Sequence, residues 1–478
     1  MPRLKHTPLL ISALLITAVA ASNPQDVISF CNLLSTDLPD RVSFPESVTY
    51  DESISSYYSG QERDIQPGCI FRPKSAEEVS RFIKLVNAES PKCSTHRHPL
   101  QFAIRSGGHM IWPGSANIHD GITVDLRELN SVTLAPDKSS ASLGTGGVWT
   151  DIYPQLVPHN LTVMGGRVTG IGVGGLALGG GIHYLARRHG WVCDNIHTYE
   201  LVLASGEIIE ATASTHADLW LALKGGSNNF GIVTRVDVPT YAMRDIDFMR
   251  VENFDAAADM GMTVIFEKGS FVVGDVLYNV EPVENPGVYR AFTAIQPQIA
   301  GSLRIGNASS MASEADGLLP QGTTRAIDIV YSFKNGDPDV YSELFRTWEE
   351  GAKPLSEIEG LQLVLLIQPH PVTNGTNSLG LKPGQKDEVL SVLTAANTNR
   401  EDDATVQAGM QSIIDAHRAI LKERGLLIPF QYLNYADVTQ YPIGSYGAEI
   451  KARLQTVSEK YDPDGFFQEA VPGGFKLF

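Results

Sequence analysis

Nine glycines fall between Gly165 and Gly181, and no other stretch restricts the fold of this chain as strongly. Glycine lets two backbones approach with no Cβ between them and accepts positive φ, so such a run marks backbone pressed against a ligand or against neighbouring strands. Gly170-x-Gly172-x-x-Gly175 formally matches a dinucleotide fingerprint, but among so many glycines a match arises by chance unless a strand leads in and a helix leads out. No GxxxxGK[ST] phosphate loop occurs. A second block, Arg105-Ser106-Gly107-Gly108-His109, follows the apolar run Phe102 to Ile104. Two glycines after a strand can turn successive N–H groups toward one point, a nest for an anion such as pyrophosphate, with Arg105 as a cation beside it. A third glycine loop runs from Lys224 through Gly231 into an alternating strand, Ile232 to Val238. Separate backbone-rich loops suit a long, extended cofactor.

The 478 residues are enough for up to three domains, and the formal charge of −17 argues against nucleic acid as a partner, because a phosphate backbone needs a basic face. Arg3, Lys5 and His6 precede an apolar run from Leu9 to Ala20, with Ala18 and Ala20 as a small-x-small cleavage site. This pattern is a secretory signal, too short to span a bilayer comfortably. No later segment reads as a membrane span. Of the four cysteines, Cys31 and Cys69 are the preferred pair because a bond there staples the mature N-terminus, although sequence does not choose among the three full connectivities. Asn160, Asn307 and Asn374 begin sequons.

The pattern Ser75-Ala76-Glu77-Glu78 predicts a helix start, and Val79, Phe82, Ile83 and Val86 continue it at helical spacing. With Cys69 to Phe71 before it and Phe102 to Ile104 after it, residues 69 to 105 read as a β-α-β unit. Strands are expected at Ile122 to Leu126 and Ser131 to Ala135, and a hairpin around Ser205-Gly206. Beyond about 246 the glycines thin out. Val406, Met410, Ile413, Ile414, Ile420 and Leu421 form one stripe of a core-facing helix ending near Gly425. Leu361 to Ile367 and Gln431 to Tyr435 read as strands. His96-Arg97-His98 is read as a surface loop, since no further ligands complete a metal site nearby.

Taken in order, the 105–109 block, the glycine run 170–181, Asp194-Asn195, Asn228 to Thr234, Asn434-Tyr435-Ala436-Asp437 and Asp462 to Gln468 resemble the berberine bridge enzyme-like flavoprotein oxidases, of the FAD-binding PCMH type within the vanillyl-alcohol oxidase superfamily. The resemblance runs from about residue 65 to the C-terminus and is strongest to the secreted fungal branch, which includes sugar and secondary-metabolite oxidases. It implies an α+β fold: a PCMH-type FAD-binding domain of two α/β subdomains, plus an inserted substrate domain with an antiparallel sheet and helices. Residues 1–20 are then the signal peptide, 21–245 the first part of the FAD domain, 246–430 the substrate domain, and 431–478 a segment returning to the FAD domain and active site.

On the same basis His109 matches the histidine bonded to the flavin's 8α-methyl carbon, and a neutral imidazole is a competent nucleophile for that role. The cysteine of doubly linked relatives aligns with Val168, so a single covalent link is expected, which leans toward smaller or more apolar substrates. Cofactor contacts are expected from Arg105, Ser106, Gly107, Gly108, Gly170, Gly172, Gly174, Gly175, Gly231, Ile232, Val233 and Asn434, and Ile171 falls over the oxygen-reactive face. Tyr435 matches the catalytic base, with Tyr432 as its neighbour. A tyrosine with an ordinary pKa of about 10 is a poor base at neutral pH, so it needs a cation, the flavin's field or a hydrogen-bond partner, and the sequence does not show which. A spacing of three puts the two rings on opposite faces of a regular strand, so both line one cavity only if the strand bends. Gln368 lines the substrate cavity or is an ordinary strand-end polar residue; His183 faces the cofactor or caps a turn. The expected protein is a secreted, monomeric FAD oxidase or dehydrogenase acting on a small-molecule alcohol or secondary metabolite, with O2 as acceptor and no metal. The alternatives are an oxidative cyclase, a carbohydrate oxidase and a secreted glycoprotein that only binds a ligand.

Overall fold

The computed structural model describes residues 23–93, 100–242, 258–279, 289–299, 301, 304–316, 324–336 and 338–478; residues 1–20, expected to be a signal peptide, and His96-Arg97-His98 lie outside them. Three sheets carry the described strands. In the first, Cys69–Phe71, Ile122–Asp125 and Phe102–Arg105 run parallel in that order, with Val42–Ser43 antiparallel at the edge. The crossover is the helix Ala76–Cys93, started as its capping pattern predicts: Glu78 N–H donates to Ser75 Oγ at 3.3 Å while the Glu78 carboxylate accepts Lys74 N–H at 2.7 Å. The two strands of the expected β-α-β unit are not neighbours, because Ile122–Asp125 inserts between them. That strand, Ile-Thr-Val-Asp, is buried along its whole length, and so short a buried strand of a parallel layer carries no local sign of its neighbours.

The second sheet is antiparallel: Val132–Leu134, Ser140–Gly144, Ile232–Ala242, Thr198–Val202 and Ile208–Thr212, with Leu161–Val163 on the far end of Ile232–Ala242. The third is a six-stranded antiparallel sheet in the order Ser270–Asn279, Ala258–Glu267, Gln362–Pro369, Glu388–Asn397, Arg325–Lys334, Leu427–Ile428. Its period-two alternation decides where its polar residues go. Val264, Phe266, Ile329, Tyr331, Leu363, Leu365 and Leu393 pack against helices Pro338–Ala352 and Asp403–Glu423. Asp259, Gln368, Thr394 and Asp328 have the opposite parity and share the other face, where Val330 and Leu390 join the core of the second sheet. Among the described residues no helix is long and apolar enough to cross a membrane.

Cys31 and Cys69 are bonded, tying helix Pro24–Asp37 to the first sheet. In the chain-entropy picture a loop of this length contributes roughly 4 kcal/mol. The C-terminal residues Phe466, Phe467, Ala470 and Val471 share a core with Phe102 and Val124 of the same sheet, so the end of the chain closes onto its beginning. Gln431 to Tyr435 is not a strand: Leu433–Tyr435 forms a 3-10 turn. In that turn residues three apart share a side, and the rings of Tyr432 and Tyr435 meet edge to face at 4.8 Å.

Two predictions follow from this packing. His417 is buried between Tyr331 OH at 2.9 Å and the Leu344 carbonyl at 2.8 Å, and burial lowers its imidazole to about 4. The unfolded chain therefore binds a proton in the window from about pH 6.5 to 4 that the native state does not, and stability falls as pH drops through it. His417→Gln, followed by denaturant unfolding at several pH values, should remove roughly 1.4 kcal/mol per pH unit from the slope there; parallel curves would contradict it. Second, a Cβ on Gly107 would stand 2.5 Å from Gly172 N, whereas one on Gly175 meets nothing within 4 Å. Gly107→Ala should lower the unfolding free energy by about 1–3 kcal/mol, with Gly175→Ala close to wild type.

Candidate active site

The loop after strand Phe102–Arg105 sits against the glycine run. Gly107 and Gly172 touch backbone to backbone, and a Cβ on either would fall within 2.5 Å of the other's nitrogen. Ser106 Oγ donates to the Thr145 carbonyl at 2.6 Å and accepts Gly174 N–H at 3.1 Å. Thr145 also donates its hydroxyl to the Val233 carbonyl at 2.6 Å, so this one residue joins the first two glycine loops to the strand that follows the third. Gly108 takes φ +72°, and the N–H groups of Gly107, Gly108 and His109 find no acceptor among the described residues. Three adjacent donors without protein partners, beside contacts that no Cβ obstructs, fit the anionic and flat parts of FAD. Among the described residues no cluster of His, Cys, Asp or Glu could hold a metal ion.

His109 lies deep in the protein yet keeps part of its surface accessible. Burial lowers its imidazole to about 4, against an opposing pull from Asp316, so it is neutral at physiological pH. Arg105 differs from expectation. Its guanidinium is fully buried behind the loop, donating to Ser53 O at 2.6 Å and Ser56 Oγ at 2.8 Å, lying 3.7 Å over the Tyr57 ring and 4.0 Å from Asp125. It props the loop and offers no free cation to a phosphate. Gly231 and Ile232 likewise belong to the sheet: Gly231 presses on the Val202 carbonyl and Ile232 is buried in the core of the first sheet.

Around the second half of the glycine run, Tyr432 is held from two sides. Its oxygen accepts Gly181 N–H at 3.0 Å and Asn434 Nδ2 at 3.0 Å, and burial pushes its phenol well up. Asn434 clips the loop, donating also to the Leu176 carbonyl at 3.2 Å, with its amide against Gly179. His183 caps a turn by accepting Leu185 N–H at 3.2 Å. Tyr435 is placed differently. Half-buried, its hydroxyl accepts from Arg167 Nη2 at 3.3 Å, and the same nitrogen donates to Gln368 Oε1 at 2.8 Å. The Arg167 carbonyl is fixed by Tyr184 OH at 2.8 Å. A cation therefore stands at the Tyr435 oxygen, and sequence reading missed it: Arg167 sits inside the glycine run, and its partners come from 201 and 268 residues away. Asp259 balances this end of the site; burial raises its carboxyl to about 6 while Arg167 and Arg187 pull it down. At the other end Asp328 accepts Thr394 Oγ1 at 2.5 Å, and burial raises it to about 7.

Comparison with known proteins agrees with this geometry. Residues 67–212 match the FAD binding domain family. An FAD-dependent monooxygenase of Fusarium proliferatum is 33% identical over 465 residues, covering 89% of this chain and 88% of that protein. The bifunctional solanapyrone synthase of Alternaria solani is 30% identical over 477 residues, covering 94% and 88%. Among solved structures, berberine bridge enzyme from Eschscholzia californica shares the fold with a TM-score of 0.73 at 15% identity, over 94% of this chain and 99% of that one. The ligand-binding alternative is thereby set aside: the chain belongs to the family of FAD-dependent oxidoreductases that these relatives represent, and it has the fold of berberine bridge enzyme.

Proposed function

We propose that this enzyme oxidises a small-molecule alcohol or secondary metabolite, with Tyr435 as the base and with FAD joined through His109 alone. The observation that carries the reading is the shared Arg167 Nη2, which holds the Tyr435 oxygen and the Gln368 amide oxygen in one fork. When bound, FAD supplies the two-electron acceptor for a hydride. The protein's own part is to orient the substrate hydroxyl toward Tyr435, whose oxygen takes its proton, while the Arg167 guanidinium bonded to that oxygen offsets its negative charge before the transfer. Gln368 fixes the guanidinium plane. Tyr432, whose oxygen already accepts two hydrogen bonds, positions the glycine run and the Tyr435 ring.

The single link is supported by Val168 at the position of the second attachment and by the burial of Cys193, the free thiol among the described residues, whose thiol burial pushes well up. Molecular oxygen as acceptor gives hydrogen peroxide. The curated relative's name as a monooxygenase favours a second reading, in which an oxygen atom enters the product. Reaction under labelled O2 separates them, with label in peroxide for the oxidase and in product for the monooxygenase. Ring closure after oxidation uses the same residues and is separated by product analysis. Secretion rests on the Arg3 to Ala20 pattern, and Asn160 and Asn374 are exposed for glycan addition.

Tyr435→Phe keeps the ring and removes the proton acceptor. Anaerobic flavin reduction by a good substrate should slow at least about 100-fold, or roughly 2.7 kcal/mol, while colour and folding persist. Arg167→Met should slow it in the same direction with Tyr435 intact. An unchanged rate and pH dependence in Tyr435→Phe would place the base elsewhere. Peptide mapping should recover one flavin-bearing peptide, containing His109; a second, containing Cys193, would contradict the single link.

A further inference from the structure

Tyr58 belongs to none of the motifs above, yet its ring stacks on His109 with centroids 4.1 Å apart and planes 23° from parallel. The stack is pinned from several directions. Tyr58 N–H donates to the Gly108 carbonyl at 3.0 Å, one residue before the histidine. Arg63 holds the carbonyls of Tyr57 and Tyr58 at 2.7 and 3.3 Å. Just beyond, Gly60 N–H donates to the Thr324 carbonyl at 3.0 Å, and the Gln61 side-chain amide pairs in both directions with the Ala326 backbone, at 3.0 and 3.1 Å. The segment carrying Tyr58 is thus fastened to the flavin loop at one end and to the third sheet at the other. It brings Tyr58 alongside Asp328, and burial together with Asp328 and Asp316 keeps the Tyr58 phenol protonated.

A histidine ring turns about its Cβ–Cγ bond in a broad torsional well, so an imidazole that must meet one carbon along one line gains from a flat surface behind it. No other aromatic stack on His109 is present among the described residues. We propose that Tyr58 is the positioning residue for covalent attachment: its ring fixes the plane of His109 so that one imidazole nitrogen is presented to the flavin's 8α carbon. This rests on the reading that His109 carries the flavin. The bond formed is N–C8α. One methyl C–H bond and the imidazole N–H bond are given up, and the two hydrogens with their electron pair pass to the flavin ring and then to molecular oxygen, leaving peroxide.

The test is a time course. Apoprotein produced under riboflavin limitation is mixed with FAD in air, and the flavin retained in the acid precipitate is read by in-gel fluorescence, with total bound flavin read by absorbance and folding by thermal unfolding. Wild type and Tyr58→Phe should attach flavin at similar rates, since both present a flat ring. Tyr58→Ala should bind FAD but attach it at least about 10-fold more slowly. Tyr58→Leu, which keeps apolar bulk without a flat face, should be slow as well and serves if the alanine variant unfolds. Attachment at the wild-type rate in a folded Tyr58→Leu or Tyr58→Ala overturns the proposal alone. Acid-released flavin from the wild type, as from His109→Ala, overturns the His109 assignment and the proposal with it.

Discussion

The contact on which the site depends is the approach of two backbones, Gly107 and Gly172, closer than any side chain allows. It seats the loop after the parallel strand Phe102–Arg105 on the glycine run, and Ser106 and Thr145 lock it there through hydrogen bonds to Gly174 and Val233. Because those bonds engage side chains, the N–H groups of Gly107, Gly108 and His109 stay available for an anion. Arg105 contributes from behind the loop by filling the space over Tyr57 and bonding Ser53 and Ser56. Its loss would reach the cofactor through the position of the loop.

The substrate side is built by strand alternation. Residues of one parity bury against two long helices, which forces Asp259, Gln368, Thr394 and Asp328 onto the face opposite. Gln368 reaches Arg167 from this sheet, Tyr435 reaches it from the 3-10 turn, and Arg167 itself comes from the glycine run. Three distant pieces of chain thus converge on one guanidinium, whose planar fork suits two acceptors at once. Two buried carboxyls raised toward neutrality, Asp259 and Asp328, stand at either end.

Local chemistry was legible wherever it alone decides. The Ser75 capping pattern, the hairpin at Ser205-Gly206, the stripe of the Asp403–Glu423 helix and the crowding of glycines all read directly from residue type and spacing. The pairing of Cys31 with Cys69 followed from where a staple is needed. What failed depended on partners far away in sequence. The order of the first sheet is set by which buried strand lies central, and nothing local to Ile122–Asp125 marks it as that strand. Gln431 to Tyr435 has the aromatic content of a strand, but Tyr432 is drawn to Gly181 N–H and the chain turns. The protein partners of Arg105 and Asn434 likewise come from segments that no local pattern announces.

A crystal structure of the purified yellow protein tests the account most directly. It should show density continuous from the His109 imidazole into an isoalloxazine ring seated against Gly107 and Gly172, the pyrophosphate on the free N–H groups of the 107–109 loop, and the Tyr435 hydroxyl with Arg167 on the open face of the ring. A flavin bound with the His109 ring turned away from it, or with Tyr435 and Arg167 on a surface remote from the ring, would contradict it.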